Sequence, residues 1–408
     1  MHKVAVTIVE KLQKQGYLAY FAGGWVRDFL LGVDAEDVDI VTSATIEEIE
    51  KLFVKTIPVG VQFGIIVVIE EGFSFELASF RSDGKYIDGR HPSSIHKASP
   101  EEDAKRRDFT INGLFFDPIE KKIYDYVGGE KDLACKIVRA IGKAEERFCE
   151  DKLRMIRAVR YAERFGFTIE EKTYAAILKY AKELFPAVSI ERVWVEVKKM
   201  GKNGTLASCF PLLYKLQLLA SLLDFLHVSL DKRQMEKALE DMQKLSKESD
   251  PLCFLWLLVG RNRTLREWEE MCEKMKMSCK EKEFALFLHH SLKMLENYAT
   301  LSAVDGVYFY ANLRAEEVIG VKKALLPLQE REVFHLWGEK TKQDLLPFIE
   351  KRKAKESWIT GADLLKENLS PGPHLGLLLK EAEKIAIEQK ICSKEELMDQ
   401  LKKSALWP

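Results

Sequence analysis

Apolar residues at Val4, Ile8, Val9 and Leu12 recur with a helical period and predict an amphipathic first helix. From Ala19 the texture changes. The run Ala19 to Phe21 reads as a strand that ends on a Gly23-Gly24 turn, and Trp25 to Leu31 reads as a short helix with Gly32 placed to cap it. After a loop carrying Asp34 and Glu36, Asp37-Val38-Asp39 opens a second, β-branched strand, Ile40-Val41-Thr42. Ile46 to Phe53 is helical in pattern. Gly64–Ile69 and Phe73–Phe80 predict a hairpin through Glu70-Glu71-Gly72. Residues 82–99 contain Gly84, Gly89, Pro92 and many charges, and predict a mobile loop. Ser99, Pro100 and Glu102 form a capping box that starts a helix running to Arg107. Leu114–Asp117 and Lys122–Tyr126 predict a further strand pair turned at Pro118. From about residue 143 the pattern is almost wholly helical. The expected layout is therefore an α/β head with a mixed sheet over 1–142, followed by helical segments over 143–205, 206–290 and 291–408.

Composition changes this picture little. A chain of 408 residues, 47% hydrophobic and 31% charged, is long enough for two to four globular domains. The formal net charge of -1 neither requires nor excludes a polyanionic partner, because a basic groove can sit on a neutral chain. The cysteines (Cys135, Cys149, Cys209, Cys253, Cys272, Cys279 and Cys392) show no C-x-x-C and no zinc-type spacing with histidine, the usage expected of reduced thiols in a cytoplasmic protein. The N-terminal stretch does not read as a signal peptide, and no uncharged run approaches the ~18 residues of a membrane span.

The unit 19–45 carries the first candidate chemistry. A glycine turn at a helix N-terminus attracts phosphate, and Arg27, one turn in, adds a charge-assisted contact. Period-2 alternation puts Asp37 and Asp39 on one face of a strand, where two carboxylates suit Mg²⁺. Glu76 lies in a strand that can neighbour theirs, either as a third acidic group or as a partner of Arg81. Arg106-Arg107-Asp108, followed closely by Asn112, could hold a triphosphate and a ribose hydroxyl, or form a solvated basic face.

The segment from Glu150 to Tyr161 places Asp151 and Arg154 three apart, with Arg157 and Arg160 extending the spacing. One reading is an intrahelical ion pair. The other is base recognition. Cytosine and adenine both present an amino donor beside a ring-nitrogen acceptor, which a carboxylate and a guanidinium together satisfy; uracil and guanine do not.

Taken together, Gly23-Gly24-x-Val26-Arg27-Asp28 with Asp37-x-Asp39, Arg106–Asn112, Gly128-Gly129-x-x-Asp132-Leu133, Glu150-Asp151-x-x-Arg154-x-x-Arg157-x-x-Arg160 and Ser189-x-Glu191-Arg192-x-x-x-Glu196 resemble the bacterial class II tRNA nucleotidyltransferase/poly(A) polymerase family, of the CCA-adding type. The tail segments Ile359-Thr360-Gly361-x-Asp363-Leu364-Leu365 and Pro371-Gly372-Pro373 resemble its C-terminal helical part. The resemblance implies a polymerase-β-like head with helical neck, body and tail, and transfer of nucleotides from CTP or ATP to a tRNA 3′ end. It further implies two Mg²⁺ on Asp37 and Asp39. Gly24, Arg27 and Arg107 would contact the nucleotide, Asp151 and Arg154 would read its base, and Arg157 and Arg160 would complete the nucleotide-binding helix. Ser189 to Glu196 would brace that helix, the body and tail would bind the tRNA elbow, and the loop 82–98 would assist the switch from CTP to ATP. Trp25, Gly113 and Val33-Asp34-Ala35 depart from the family's usual residues without removing a charged ligand. Poly(A) addition, or a partial CC-adding or A-adding activity, stands as the alternative on the same scaffold. A non-catalytic RNA-binding module is disfavoured by the intact Asp37, Asp39 and Arg27. The sequence is silent on oligomeric state, and His91 and His96 read as exposed loop residues.

Overall fold

The computed structural model describes residues 1–34, 37–60, 64–84 and 93–408. Chain contacts divide it into two compact units, Met1–Ser229 and Leu230–Pro408.

The first unit is built on a seven-stranded sheet. Its strands are β1 (Ala19–Ala22), β2 (Asp39–Thr42), β3 (Thr56–Gly60), β4 (Ile65–Glu70), β5 (Phe73–Ser79), β8 (Leu114–Asp117) and β9 (Lys122–Asp125). Their spatial order is β3-β4-β5-β2-β1-β8-β9, with only β2 and β5 parallel. The expected hairpins β4–β5 and β8–β9 are present. So is the first helix, α1 (His2–Lys14), which buries Val4, Ala5, Ile8, Val9 and Leu12. Helix α2 (Gly24–Leu30) follows the glycine turn, and helix α3 (Ile46–Leu52) starts on a Thr45–Glu48 capping box.

Two features differ from the sequence pattern. The strand β3 carries Pro58, which is tolerated because β3 is the sheet edge and its register shifts between Ile57 and Gly60. The segment read as a loop over 82–99 contains a short antiparallel ladder, β6 (Arg81–Asp83) with β7 (Ile95–Lys97). Residues 85–92 of that segment, His91 among them, lie outside the described residues, as do Ala35 and Glu36.

Strand register fixes the site. Asp39 pairs with Ala22 across β1–β2 and therefore shares a sheet face with Tyr20, Val41 and Phe115. That face packs a cluster of Tyr20, Ala22, Val41, Phe80, Ala104 and Phe115. Ile40 pairs with Leu77 across β2–β5, so one step back places Glu76 beside Asp39 on the same face. Val38 and Ile40 are buried while Asp37 and Asp39 are exposed, but β2 begins only at Asp39, so Asp37 stands in the segment before the strand rather than on its face. The opposite face holds Phe21, Trp25, Phe29 and Phe116 in mutual ring contact; the unusual Trp25 is a packing residue there, stacked on Phe29 at 5.0 Å.

Helix α4 (Pro100–Lys105) uses the predicted capping box and leads into a 3₁₀ turn, Thr110–Asn112. The Gly128-Gly129 motif starts helix α5 (Gly129–Ala134), whose first turn is gripped by Asp125: its carboxylate accepts from the N–H groups of Val127, Gly128, Gly129 and Glu130 at 2.8–3.0 Å. Asp132 then accepts from the Thr110 hydroxyl at 2.7 Å and from Arg139 at 2.9 Å. The motif is thus a clamp on the segment 106–112. Beyond it come a two-stranded parallel pair, β10 (Ile137–Val138) and β11 (Thr168–Ile169), and the helices α6 (Ala144–Glu150) and α7 (Leu153–Phe165). The remaining helices of this unit include Glu171–Tyr180 and Ile190–Lys202.

The second unit is all helical, from Lys232–Met242 to Lys394–Leu401. No single helix among the described residues is long and apolar enough to cross a membrane.

A Cβ at Gly129 would press into the Thr110 carbonyl oxygen and lie 2.9 Å from Leu114 Cδ2. We therefore expect Gly129→Ala to cost about 1–3 kcal/mol of stability, read as a lowered midpoint in thermal unfolding. An unchanged midpoint would show that this close approach does not constrain the fold.

Candidate active site

One cavity of about 450 Å³ in the first unit gathers residues from both ends of the sequence pattern: Gly23, Gly24, Arg27 and Asp39 from the sheet, Arg106 to Asp108 and Asn112 from the connecting segment, and Asp151, Arg154, Arg157 and Arg160 from the α6–α7 region. The residues of the glycine turn and those near 151, more than a hundred positions apart, are thus walls of a single site.

Gly23 is held at φ +62°, a conformation few side chains tolerate, and a Cβ there would lie 3.0 Å from Arg107 Nη1. The glycine turn and Arg107 therefore stand directly against each other. Arg107 is anchored from behind by the fully buried Asp103, at 3.1 Å to Nε and 2.9 Å to Nη2. Asp103 also takes Arg106 at 2.7 Å. Burial opposes the ionised Asp103, but Arg107 and Arg106 outweigh it and hold its pKa below the ordinary carboxylate value.

Arg27 is buried and fully engaged. It donates to Asp28 at 2.8 Å and to the Asn112 side-chain oxygen at 2.5 Å, and its guanidinium lies over the rings of Tyr161 and Phe165. The Asn112 amide nitrogen in turn donates to Asp108 at 3.0 Å. Asn112, read from sequence as a ribose contact, thus has both ends of its amide committed to protein.

Asp108 is the junction of the connecting segment with α7. It accepts from Arg157 Nε at 2.8 Å and Nη2 at 2.6 Å, and from its neighbour Phe109 N at 2.8 Å. Burial alone would raise its pKa; Arg157, Asn112 and Arg154 bring it down to about 2. Arg157 also donates to the Tyr161 hydroxyl at 2.9 Å. Arg160 pairs with buried Glu196 at 2.6 Å. Tyr161 sits beneath Arg27, Arg157 and Arg160, with ring-centroid distances of 5.0, 5.4 and 4.2 Å.

The geometry of Asp151 and Arg154 corrects the reading from spacing. Helix α7 begins at Leu153, so Asp151 is not part of it; its Oδ1 accepts from Leu153 N at 3.0 Å, and its Oδ2 from Arg192 at 2.7 Å. Arg154 pairs instead with Glu150 at 2.7 Å and donates to the backbone oxygens of Arg147 and Arg106. The two side chains are not an intrahelical pair; they line the same cavity, each held by another partner. Ser189 to Glu196 brace this wall through Arg192 and Glu196.

The acidic side of the site is different in kind. Removal from water and the nearby Glu76 raise the Asp39 pKa, Arg107 opposes them, and Asp37 adds to the rise. Among the described residues, no group of three His, Cys, Asp or Glu side chains converges to hold a metal. Glu76 stands beside Asp39 on the neighbouring strand. Sequence reading missed Asp28, Asp103 and Tyr161 as site residues. The acids lie inside or just before the quoted basic motifs, and only their burial shows what they do.

Two family models match the chain: "Poly A polymerase head domain" over residues 19–139 and "Probable RNA and SrmB- binding site of polymerase A" over residues 166–230. The CCA-adding enzyme of Staphylococcus saprophyticus subsp. saprophyticus is 32% identical over 387 residues, covering 94% of this chain and 93% of its own. That of Ligilactobacillus salivarius is 34% identical over 416 residues, covering 98% and 96%. Among solved structures, the Bacillus stearothermophilus CCA-adding enzyme in complex with CTP aligns with a TM-score of 0.78 at 27% identity, over 98% of both chains. The Thermotoga maritima CCA-adding enzyme complexed with tRNA shares the fold at a TM-score of 0.65 and 18% identity. With relatives above 30% identity along nearly its whole length, the chain belongs to the family of CCA-adding enzymes.

Proposed function

We propose that this protein adds C and A from CTP and ATP to the 3′ end of tRNA without a nucleic-acid template. The single observation that carries this reading is the shared cavity, in which the Asp39 strand and the Gly23–Gly24 turn face the arginine-lined wall of Arg154 and Arg157. The alignment with a CTP-bound relative over 98% of the chain supports it.

The tRNA 3′-hydroxyl attacks the α-phosphorus of the nucleotide. An O3′–P bond forms, the bond to the β-phosphate oxygen breaks, and pyrophosphate leaves with the electron pair while the hydroxyl proton passes to solvent. Such transfer depends chiefly on positioning and charge neutralisation. Arg107, whose Nη1 faces the glycine turn with only a 3.4 Å contact to Asn112 O, is the guanidinium best placed for a phosphate oxygen. Gly24 lets the backbone approach the same group. Arg27, engaged by Asp28 and Asn112, and Arg160, paired through Nε with Glu196, position the walls.

Asp37 and Asp39 would hold divalent cations. Removal from water first, and Glu76 second, raise the Asp39 pKa, so a cation there would relieve both, and two carboxylates that still reach solvent suit Mg²⁺. Bound there, Mg²⁺ would supply charge neutralisation at the leaving pyrophosphate and a lowered pKa for the attacking hydroxyl. Glu76 tunes Asp39 electrostatically.

Base choice falls to Asp151 and Arg154. Their donor–acceptor pattern suits cytosine and adenine, and Arg192 and Glu150 hold them in place. The helical remainder, including the 166–230 region, would carry the tRNA, and the segment 82–98 would assist the change from CTP to ATP.

Asp37→Ala and Asp39→Ala are each expected to reduce incorporation of CTP and ATP alike by about a thousandfold or more, with thermal unfolding unchanged. Retained incorporation by both variants in single-turnover assays with Mg²⁺ would remove the two carboxylates from the chemistry. Asp151→Ala and Arg154→Ala are expected to narrow the preference for CTP and ATP over UTP and GTP by about five- to a hundredfold, the loss of one good bidentate contact. Competition assays on tRNA lacking one, two or three terminal residues measure this. Unaltered selectivity would place base reading elsewhere.

A further inference from the structure

The second unit contains a cavity of about 450 Å³ that the transfer reaction does not use. Its floor is apolar: Phe348, Ile359 and Leu397 are buried there, and Leu379 stands in its wall. Trp358 lines one side, with Lys351 Nζ 3.8 Å from its ring centroid. The rim is basic. Arg352 is neutralised by Glu383 and lies over the Tyr308 ring at 3.5 Å. Lys351, Lys355 and Lys380 have no ion-pair partner among the described residues, and Glu356 is the one further carboxylate of the lining. The cavity thus combines a closed apolar floor, an aromatic wall and a surplus of flexible cations at the mouth.

An ordinary solvated basic face has no apolar cavity beneath it, and an ordinary core cavity is not ringed by unpaired lysines. The combination fits a flat, weakly polar ring that carries phosphate on either side. We propose that this cavity takes an unstacked base of the RNA substrate, with the flanking phosphates on Lys355 and Lys380. Its volume is in the range of small-ligand pockets, and base stacking on aromatic walls beside a cationic rim is the general mode for unpaired RNA. This goes beyond recognition of a folded RNA by shape and phosphates. It rests on the reading that the substrate is an RNA larger than its 3′ end.

The test separates the two readings by using two RNAs: a full tRNA lacking its terminal residues, and a minihelix carrying only the acceptor stem. The full-length protein is compared as wild type, Leu379→Trp (cavity filled, lysines kept), Trp358→Ala, and Lys355→Ala/Lys380→Ala. We expect all three variants to raise the Kd for full tRNA by about tenfold in equilibrium binding, with kcat and KM on the minihelix unchanged. Thermal unfolding identifies a variant that fails to fold, and Trp358→Ala and Leu379→Trp perturb the cavity in opposite senses. Wild-type affinity in both cavity variants, with loss only in the double lysine variant, would leave a phosphate surface and overturn base insertion. Wild-type affinity in all three would overturn any RNA contact here, including one displaced by an acidic peptide or a lipid surface. Loss of minihelix extension by wild-type protein would instead count against the transfer reading itself.

Discussion

The buried carboxylate of Asp108 is the constraint on which the first unit's site depends. It receives both a side-on guanidinium from Arg157 and hydrogen bonds from Asn112 and Phe109, so little of its charge is left unsatisfied. A pKa brought down to about 2 despite burial shows that the partners outweigh desolvation. Through Asn112 the same network reaches Arg27 and the glycine turn; through Arg157 it reaches α7. The sheet that carries Asp39 and the helix that carries Arg154 are therefore tied by one short connecting segment. Removing a partner from such a pair strands a buried charge and costs about 3–5 kcal/mol. The clamp of Asp132 on Thr110 holds that segment from its other side.

Around this junction the charges are sorted. Each arginine lining the cavity has a carboxylate: Asp28 for Arg27 and Arg164, Asp103 for Arg106 and Arg107, Asp108 for Arg157, Glu150 for Arg154, Asp151 for Arg192, and Glu196 for Arg160. The basic wall is thus held in place but keeps a surplus of positive charge, because Asp28 and Asp103 each serve two arginines. It offers fixed N–H directions together with that charge. Asp39 is the opposite case: its strongest charged neighbour is another carboxylate, Glu76, and Arg107 only partly offsets it. The positive charge that completes the site has to arrive with the substrate, and a hard divalent cation accompanying a triphosphate meets that need.

Much of this was legible from residue order. Alternation foresaw the exposure of Asp37 and Asp39 between buried apolar neighbours, though the strand itself starts at Asp39, and the capping box at Ser99 and the two hairpins follow from local pattern alone. What escaped depends on partners distant in sequence. The pair Asp151–Arg154 satisfies the i,i+3 rule only if the helix already runs at 151; instead the helix starts at Leu153, and Asp151 is drawn to an arginine of the helix Ile190–Lys202. Spacing cannot reveal that competition. Asp103 looked like one acid of a helix first turn, yet it is fully buried as the shared anchor of two arginines. Pro58 hid an edge strand because proline removes the donor that pattern reading looks for.

The separation of chemistry from choice follows from these anchors. Asp39 and Glu76 sit on adjacent strands, where register allows no independent movement without breaking the ladder. Asp151 is held by Arg192 and by the Leu153 N–H, and Arg154 by Glu150 and by the backbone oxygens of Arg147 and Arg106. Both walls of the cavity are therefore fixed, one by strand register and the other by ion pairs and backbone acceptors, and the proposed base-reading groups present one donor–acceptor pattern that cytosine and adenine share. A single catalytic centre can then serve two nucleotides.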